Sequence, residues 1–199
     1  SGKTLAFLLP LLAKVRPGGT KVEVVVVAPG RELAAQIASV ARAFFPDLSI
    51  VALIGGANGE RMKKRLKEAR PQVVVGTPGR LAEFALDGSR PLKLGAVAAF
   101  VVDEADATIR APFCDDVFAL VDALPPQCPL VLASATAGAL FEEDGEKDVA
   151  ANVAARARGA AVVSETDDDD AASSSDGAGR TVAARALNVR AKHGKVLLR

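Results

Sequence analysis

Along roughly the first two-thirds of the chain, short and largely apolar runs alternate with longer stretches in which apolar residues recur every three or four positions. The runs at 22–28, 49–54, 73–75, 98–102 and 130–133 are rich in valine and isoleucine and carry few polar residues. That is the pattern of strands buried on both faces, as in the interior of a parallel sheet. Between them, residues 31–44 place Leu33, Ile37, Val40 and Phe44 on one side of a helix, and 60–70, 81–86 and 113–124 also read as helices. Residues 4–15 are apolar on most positions, which predicts a buried helix ended by Pro17-Gly18-Gly19. Strands and helices alternating at this spacing imply right-handed crossovers, and hence an α/β fold: a doubly wound, mostly parallel sheet with helices on both faces. Beyond residue 137 the pattern weakens, with a possible helix at 141–158 and a final strand at 160–163.

The polar residues with chemical potential sit just after the strands. Phe100-Val101-Val102 runs into Asp103-Glu104-Ala105-Asp106, which puts carboxylates at the carboxyl edge of the sheet, where open α/β folds bind ligands. An acidic cluster alone is often only a solvated loop. Ser1-Gly2-Lys3-Thr4 changes its weight, because it is the back half of a phosphate-binding loop, G-x-x-x-x-G-K-[ST]. In such a loop backbone N–H groups cradle phosphates, the lysine reaches the β- and γ-phosphates and the hydroxyl binds Mg²⁺. The turns Gly55-Gly56 and Gly76-Thr77-Pro78-Gly79-Arg80 would let backbone approach a ligand closely.

Composition narrows the class. The chain has 199 residues, 50% hydrophobic, enough for one substantial core plus a tail. No apolar run reaches the ~18 residues needed to span a bilayer, so no membrane partner is expected. Cys114 and Cys128 match no zinc spacing and make no disulfide framework, which points to an intracellular, reducing compartment without specifying which. A net charge of +1 excludes a polycationic coat. The helix at 60–70, with Arg61, Lys63, Lys64, Arg65, Lys67 and Arg70, is either a solvated face, the commoner case, or a nucleic-acid contact. The only histidine, His193, reads as a surface group. Three segments are expected: a globular domain at 1–164, an acidic and serine-rich insertion or linker at 165–179 containing Asp167–Asp170, and a basic segment at 180–199.

Taken together, these motifs resemble the N-terminal RecA-like domain of DEAD-box ATP-dependent RNA helicases over about residues 1–136. Ser1–Thr4 is similar to the family's motif I, cut within the P-loop, and Pro29-Gly30-Arg31-Glu32-Leu33-Ala34-Ala35-Gln36 to motif Ia. Gly55-Gly56 resembles the GG element, Thr77-Pro78-Gly79-Arg80 motif Ib, Asp103–Asp106 motif II and Ser134-Ala135-Thr136 motif III. Six elements in family order, each at the end of a predicted strand, form a specific signature.

The resemblance implies ATP hydrolysis coupled to RNA binding and to unwinding of short duplexes, with ATP and Mg²⁺ as cofactors. Ser1, Gly2, Lys3 and Thr4 would bind ATP. Thr4 and Asp103 would hold Mg²⁺, Asp103 through water, and Glu104 would deprotonate the attacking water beside Lys3. Arg31, Gly56, Thr77, Gly79 and Arg80 would bind RNA through its backbone, independent of sequence, while Asp106, Ser134 and Thr136 would couple the two sites. The alternatives are a degenerate RNA-binding scaffold and a P-loop helicase acting on DNA. Where the family has threonine in motif Ia this chain has Gly30, which removes one hydroxyl. The resemblance also places the family's Q motif, the strand before the P-loop and a second RecA-like domain outside residues 1–199, with residues 180–199 as a lead-in to that domain. A missing interior strand predicts a gap in the sheet and a poorly stable, inactive fragment.

Overall fold

The computed structural model describes residues 2–56, 58–88, 91–109, 112–134, 161–164, 190–192 and 195–197. Its elements in chain order are α1 (Gly2–Leu12), β1 (Val24–Val27), α2 (Arg31–Phe44), β2 (Ile50–Leu53), α3 (Gly59–Ala69), β3 (Val73–Gly76), α4 (Pro78–Leu86), β4 (Ala99–Val102), α5 (Ala105–Thr108), α6 (Cys114–Asp122), β5 (Leu130–Ser134), β6 (Ala161–Ser164), β7 (Arg190–Lys192) and β8 (Lys195–Leu197). The first six strands form one parallel sheet in the order β2-β3-β1-β4-β5-β6. Strands β7 and β8 pair antiparallel as a separate hairpin within the basic segment.

The all-apolar strand sequences have a simple cause: both faces of the sheet are covered. Val24 and Val26 belong to a core with Phe7, Leu8 and Leu12 of α1 and Ile37 and Ala41 of α2. Val25 and Val27 point the other way, into a core with Leu66 of α3, Leu81 and Phe84 of α4, Ile109 and Leu120. Period-two alternation thus splits one valine run between two cores, so the doubly wound architecture expected from the sequence is the one observed.

At the amino-terminal edge the backbone is tied by buried Gln72. Its Oε1 accepts from the Ser49 amide at 2.7 Å, its Nε2 donates to the Arg16 carbonyl at 3.0 Å, and its own carbonyl accepts from Glu23 and Val24. One residue, through its side chain and its backbone carbonyl, therefore joins the starts of β1, β2 and β3 to the loop after α1.

Two differences from expectation concern the sheet. The gap expected beside the phosphate-binding helix is not present among the described residues, because β6 pairs with β5 from Val131↔Ala161 to Ser134↔Ser164. The four-residue α5 was also not foreseen. The helix predicted at 141–158 and the acidic run at 165–179 lie outside the described residues, as do Ser1, Ala135 and Thr136.

Candidate nucleotide and nucleic-acid site

In a parallel sheet every strand ends on the same edge, so the residues following β1 to β5 are gathered there by topology alone. Strand order assigns them to two halves. β2, β3 and β1 are neighbours and lead to Gly55-Gly56, to Thr77–Arg80 and to Gly30-Arg31. β4 and β5 are the next neighbours and end at Asp103 and Ser134, and α1 packs against β5.

In the second half, α1 begins at Gly2, with Lys3 and Thr4 half-buried on its first turn. The opening N–H groups of an α-helix have no partner within it, so this end is suited to an anion. Asp103 is 4% exposed. Its amide donates to the Val27 carbonyl at 2.8 Å, its Oδ1 accepts from the Glu104 amide at 3.0 Å, and its carbonyl accepts from the Thr108 hydroxyl at 2.7 Å. Burial raises the Asp103 pKa and the Glu104 charge adds to that, whereas the Glu104 amide and the charge of Lys3 oppose it. The carboxyl is therefore held where its charge is least welcome, with Lys3 within electrostatic range.

Glu104 is exposed and adopts φ 46°, ψ 53°, the left-handed region that costs an L-residue about 1 kcal/mol or more. This turn breaks β4 sharply into α5 and sends the two adjacent carboxylates apart, one inward and one to solvent. Asp106 is half-buried on the first turn of α5, and Ser134 is buried at the end of β5; both are engaged in polar contacts.

In the first half, Arg31 opens α2 and lies against the glycine turn. A methyl group on Gly55 would come within 3.6 Å of Arg31 Nε, and one on Gly56 within 3.4 Å of Arg31 Nη1. Gly56 has φ +94°, where a side chain would be strained. Thr77 is the N-cap of α4 without a side-chain capping bond, and Pro78 follows at the first helical position. Gly79 is exposed beside Asp116 of α6, whose Oδ2 lies 3.2 Å from where a methyl group would stand. Arg80 is paired with Glu83 at 2.5 Å and its guanidinium lies 4.8 Å from the centroid of the Phe84 ring.

The structure therefore brings Lys3 and Thr4 to the same edge as Asp103, and Arg31 together with Gly56. Three supporting residues escaped the sequence reading: Thr108, Glu83 and Phe84. The last two stand three and four positions after Arg80 on one helix, a spacing that signals contact. Oxygen donors suit a hard divalent cation such as Mg²⁺, and a buried carboxylate disfavoured as an anion, within electrostatic range of Lys3 on the first turn of α1, fits one. Among the described residues no helix is long and apolar enough to cross a membrane.

The family model described as DEAD/DEAH box helicase matches residues 1–143. The ATP-dependent RNA helicase DeaD of Haemophilus influenzae is 41% identical over 139 residues, covering 68% of this chain and 22% of that protein. CshA of Listeria monocytogenes, also an ATP-dependent RNA helicase, is 35% identical over 149 residues, covering 74% of this chain and 28% of that protein. The chain thus spans about a quarter of the length of these curated relatives. Among solved structures, a DEAD box protein from Methanococcus jannaschii superposes with a TM-score of 0.69 at 28% identity, covering 82% of this chain and 42% of that one. Dbp5 of S. cerevisiae bound to RNA and ADP BeF3 superposes with a TM-score of 0.64 at 26% identity, covering 80% and 38%.

Proposed function

Because the chain belongs to the DEAD/DEAH box helicase family, we propose that it is the ATP-binding, RNA-contacting part of an ATP-dependent RNA helicase, coupling ATP hydrolysis to the opening of short RNA duplexes. The observation that carries this reading is the strand order, which sets three candidate RNA elements on β2, β3 and β1 directly beside Asp103 and Glu104, the candidate metal and base residues that follow β4.

In this reading the first turn of α1 and the Lys3 ammonium take the charge of the β- and γ-phosphates. Thr4 and Asp103 would hold Mg²⁺, Asp103 through bound water, and the ion when present neutralises charge on the phosphoryl oxygens. Glu104, turned to solvent by its left-handed backbone, accepts the proton of the water whose oxygen bonds to the γ-phosphorus while the bond from that phosphorus to the β,γ-bridging oxygen breaks, so that ADP leaves and inorganic phosphate is formed. Arg31, Gly56, Thr77, Gly79 and Arg80 hold RNA phosphates and sugars, which gives contact without base readout. Asp106, Ser134 and Thr136 carry the nucleotide state between the halves. A second RecA-like domain closes over the same edge.

The reducing compartment expected from the cysteines is likewise our inference. Its support is that Cys114 and Cys128 are free; burial, which pushes the Cys128 thiol up to about 11, leaves that thiol unreactive.

The test is ATP turnover by the full-length protein with RNA, with DNA of the same sequence, and without nucleic acid, for wild type and Glu104→Gln. RNA-stimulated turnover abolished by the substitution supports the reading. Equal stimulation by DNA replaces it with a DNA-directed enzyme, and RNA binding without turnover replaces it with a scaffold.

A further inference from the structure

At the opposite edge of the sheet from Asp103 and Arg31 is a cavity of about 400 Å³. It is formed where the chain enters β1, β3 and β4, by Lys21 and Val22, by Leu66, Lys67 and Arg70 at the end of α3, and by Leu92 and Lys93. The volume falls in the range of small-ligand and side-chain pockets. The floor is apolar, since Val22, Leu66 and Leu92 are all buried core residues.

The rim has one sign of charge. Lys21, Lys67, Arg70 and Lys93 are all exposed, no acidic residue lines the cavity among the described residues, and none of these four cations is in an ion pair there. The adjacent acids of α3 are already engaged, Glu60 with Lys63 at 2.9 Å and Glu68 with Lys64 at 3.8 Å. In a chain of net charge +1 this concentration is local, not a reflection of overall basicity. A second groove continues from it along α3, sharing Lys67 and Pro91.

Arg70 ends α3 at φ 40°, ψ 59°, a position where glycine or asparagine would be unstrained. The arginine in that conformation places a guanidinium on the rim at a cost to the fold.

We propose that this cavity docks an acidic peptide segment of a partner protein, with apolar side chains seated on the floor and carboxylates over Lys21, Lys67, Arg70 and Lys93. Charge complementarity selects an anionic partner, and the apolar floor selects against a bare phosphate backbone. Single-stranded nucleic acid could offer bases to such a floor, but bases stack on aromatic faces, and the described lining has no Phe, Tyr or Trp. An acidic segment with leucine-like anchors satisfies both floor and rim. The site is remote from the nucleotide edge and stands whether or not the helicase reading holds.

The experiment is fluorescence anisotropy of the purified chain with a labelled peptide of glutamate and leucine, a control with every leucine replaced by serine, and oligo(U) RNA. The glutamate–leucine peptide is expected to bind best, and the serine control about tenfold or more weaker. Lys67→Glu and Lys93→Glu should each weaken peptide binding by about tenfold, with oligo(U) unaffected. Arg70→Gly should weaken binding while leaving the melting temperature equal or higher, which separates loss of a contact from loss of the fold. Equal binding of the serine control, or peptide binding insensitive to the charge reversals, overturns the proposal. Loss of oligo(U) binding in the same variants overturns it in favour of an RNA surface.

Discussion

The backbone amide of Asp103 donates to the carbonyl oxygen of Val27 at 2.8 Å, at the end of the ladder that pairs β4 with β1. Val27 stands four residues before Arg31, and the Arg31 side chain lies over Gly55 and Gly56. A carboxyl group in the candidate metal position is thus one hydrogen bond and one short turn away from the candidate RNA contacts. Any backbone shift at Asp103 is felt first at the strand that presents Arg31.

The buried Asp103 carboxyl should trade stability against function. Its folded-state pKa is raised above the ordinary 3.8, chiefly by burial, so the folded state holds a proton more tightly than the unfolded state does. Stability linked to this group is therefore greatest at low pH and is lost as pH rises from about 3.8 through the raised value. Asp103→Asn keeps the acceptor for the Glu104 amide and removes the charge. Metal-free protein carrying it should be unchanged to about 1 kcal/mol more stable at neutral pH, while nucleotide turnover is abolished. Chemical denaturation in the presence of a chelator, beside an ATPase assay, checks both; a large destabilisation would show that the carboxylate charge supports the fold.

Thr108 is expected to act through Asp103. Its fully buried hydroxyl donates to the Asp103 carbonyl at 2.7 Å across the turn that Glu104 makes. Thr108→Val preserves shape and leaves that carbonyl without this donor, which should cost about 1–3 kcal/mol. Thr108→Ser keeps the donor and should recover most of the loss. Equal melting temperatures for the valine and serine variants would show that the bond contributes nothing.

The strands were legible because a chain buried on both faces has no room for polar residues, and the range 31–44 read from helical periodicity is the range of α2. Other ends moved by one to three residues, as at α1 and α4. Val22 and Ala28 are buried and apolar like their neighbours, yet they lie outside the ladder. Four-residue α5 was invisible because so short a helix has no period to detect. The motifs announced which residues matter but not how they are held. That Arg31 covers Gly55-Gly56 depends on β2 and β1 flanking β3, and that Thr108 supports Asp103 depends on Glu104 adopting a left-handed turn. Neither is written in local sequence. The pairing of β6 with β5 was also beyond it, since an apolar tetrapeptide does not name its neighbour.

Gly30 now has a defined backbone. It is the N-cap of α2 at φ −130°, ψ 159°, extended geometry open to any residue, and a methyl group there would meet only Glu32 Oε2 at 3.7 Å. Positive φ is thus no reason for the glycine. Gly30→Thr should leave the fold within a few tenths of a kcal/mol, since threonine and glycine are similar as N-caps. The added hydroxyl should tighten RNA binding by about 0.5–1.5 kcal/mol, the net worth of one hydrogen bond. RNA titration and a thermal melt on the same variant decide it, and unchanged affinity would mean that the position does not face RNA.

Gly76 contrasts with it. Its φ is not in the left-handed region, but a methyl group would stand 2.6 Å from the Leu53 carbonyl oxygen and 2.9 Å from Leu81 Cγ. Backbone of β2 cannot yield without breaking its own ladder, so Gly76→Ala should destabilise by about 1–3 kcal/mol through overpacking. Leu81→Ala in the same chain frees one of the two clashes only. The double variant should therefore remain less stable than Leu81→Ala alone by a measurable margin, and additive recovery to that level would place the strain at Leu81 and not at the strand.

Glu104 allows backbone strain and chemistry to be separated. In its left-handed conformation an L-residue carries about 1 kcal/mol or more of strain, which glycine would remove. Glycine also gains about 0.5–1 kcal/mol of conformational entropy in the unfolded chain, so the two effects nearly cancel and Glu104→Gly should be close to neutral. Asparagine tolerates the same conformation without that entropic loss, so Glu104→Asn should be the most stable of the series, and Glu104→Gln should match wild type. If the side chain serves as the base for hydrolysis, all three should lose turnover alike despite different melting temperatures, because none retains a carboxylate within the turn. Turnover that follows stability across the series instead would show that Glu104 acts by shaping the loop between β4 and α5, and the role of base would pass to another residue.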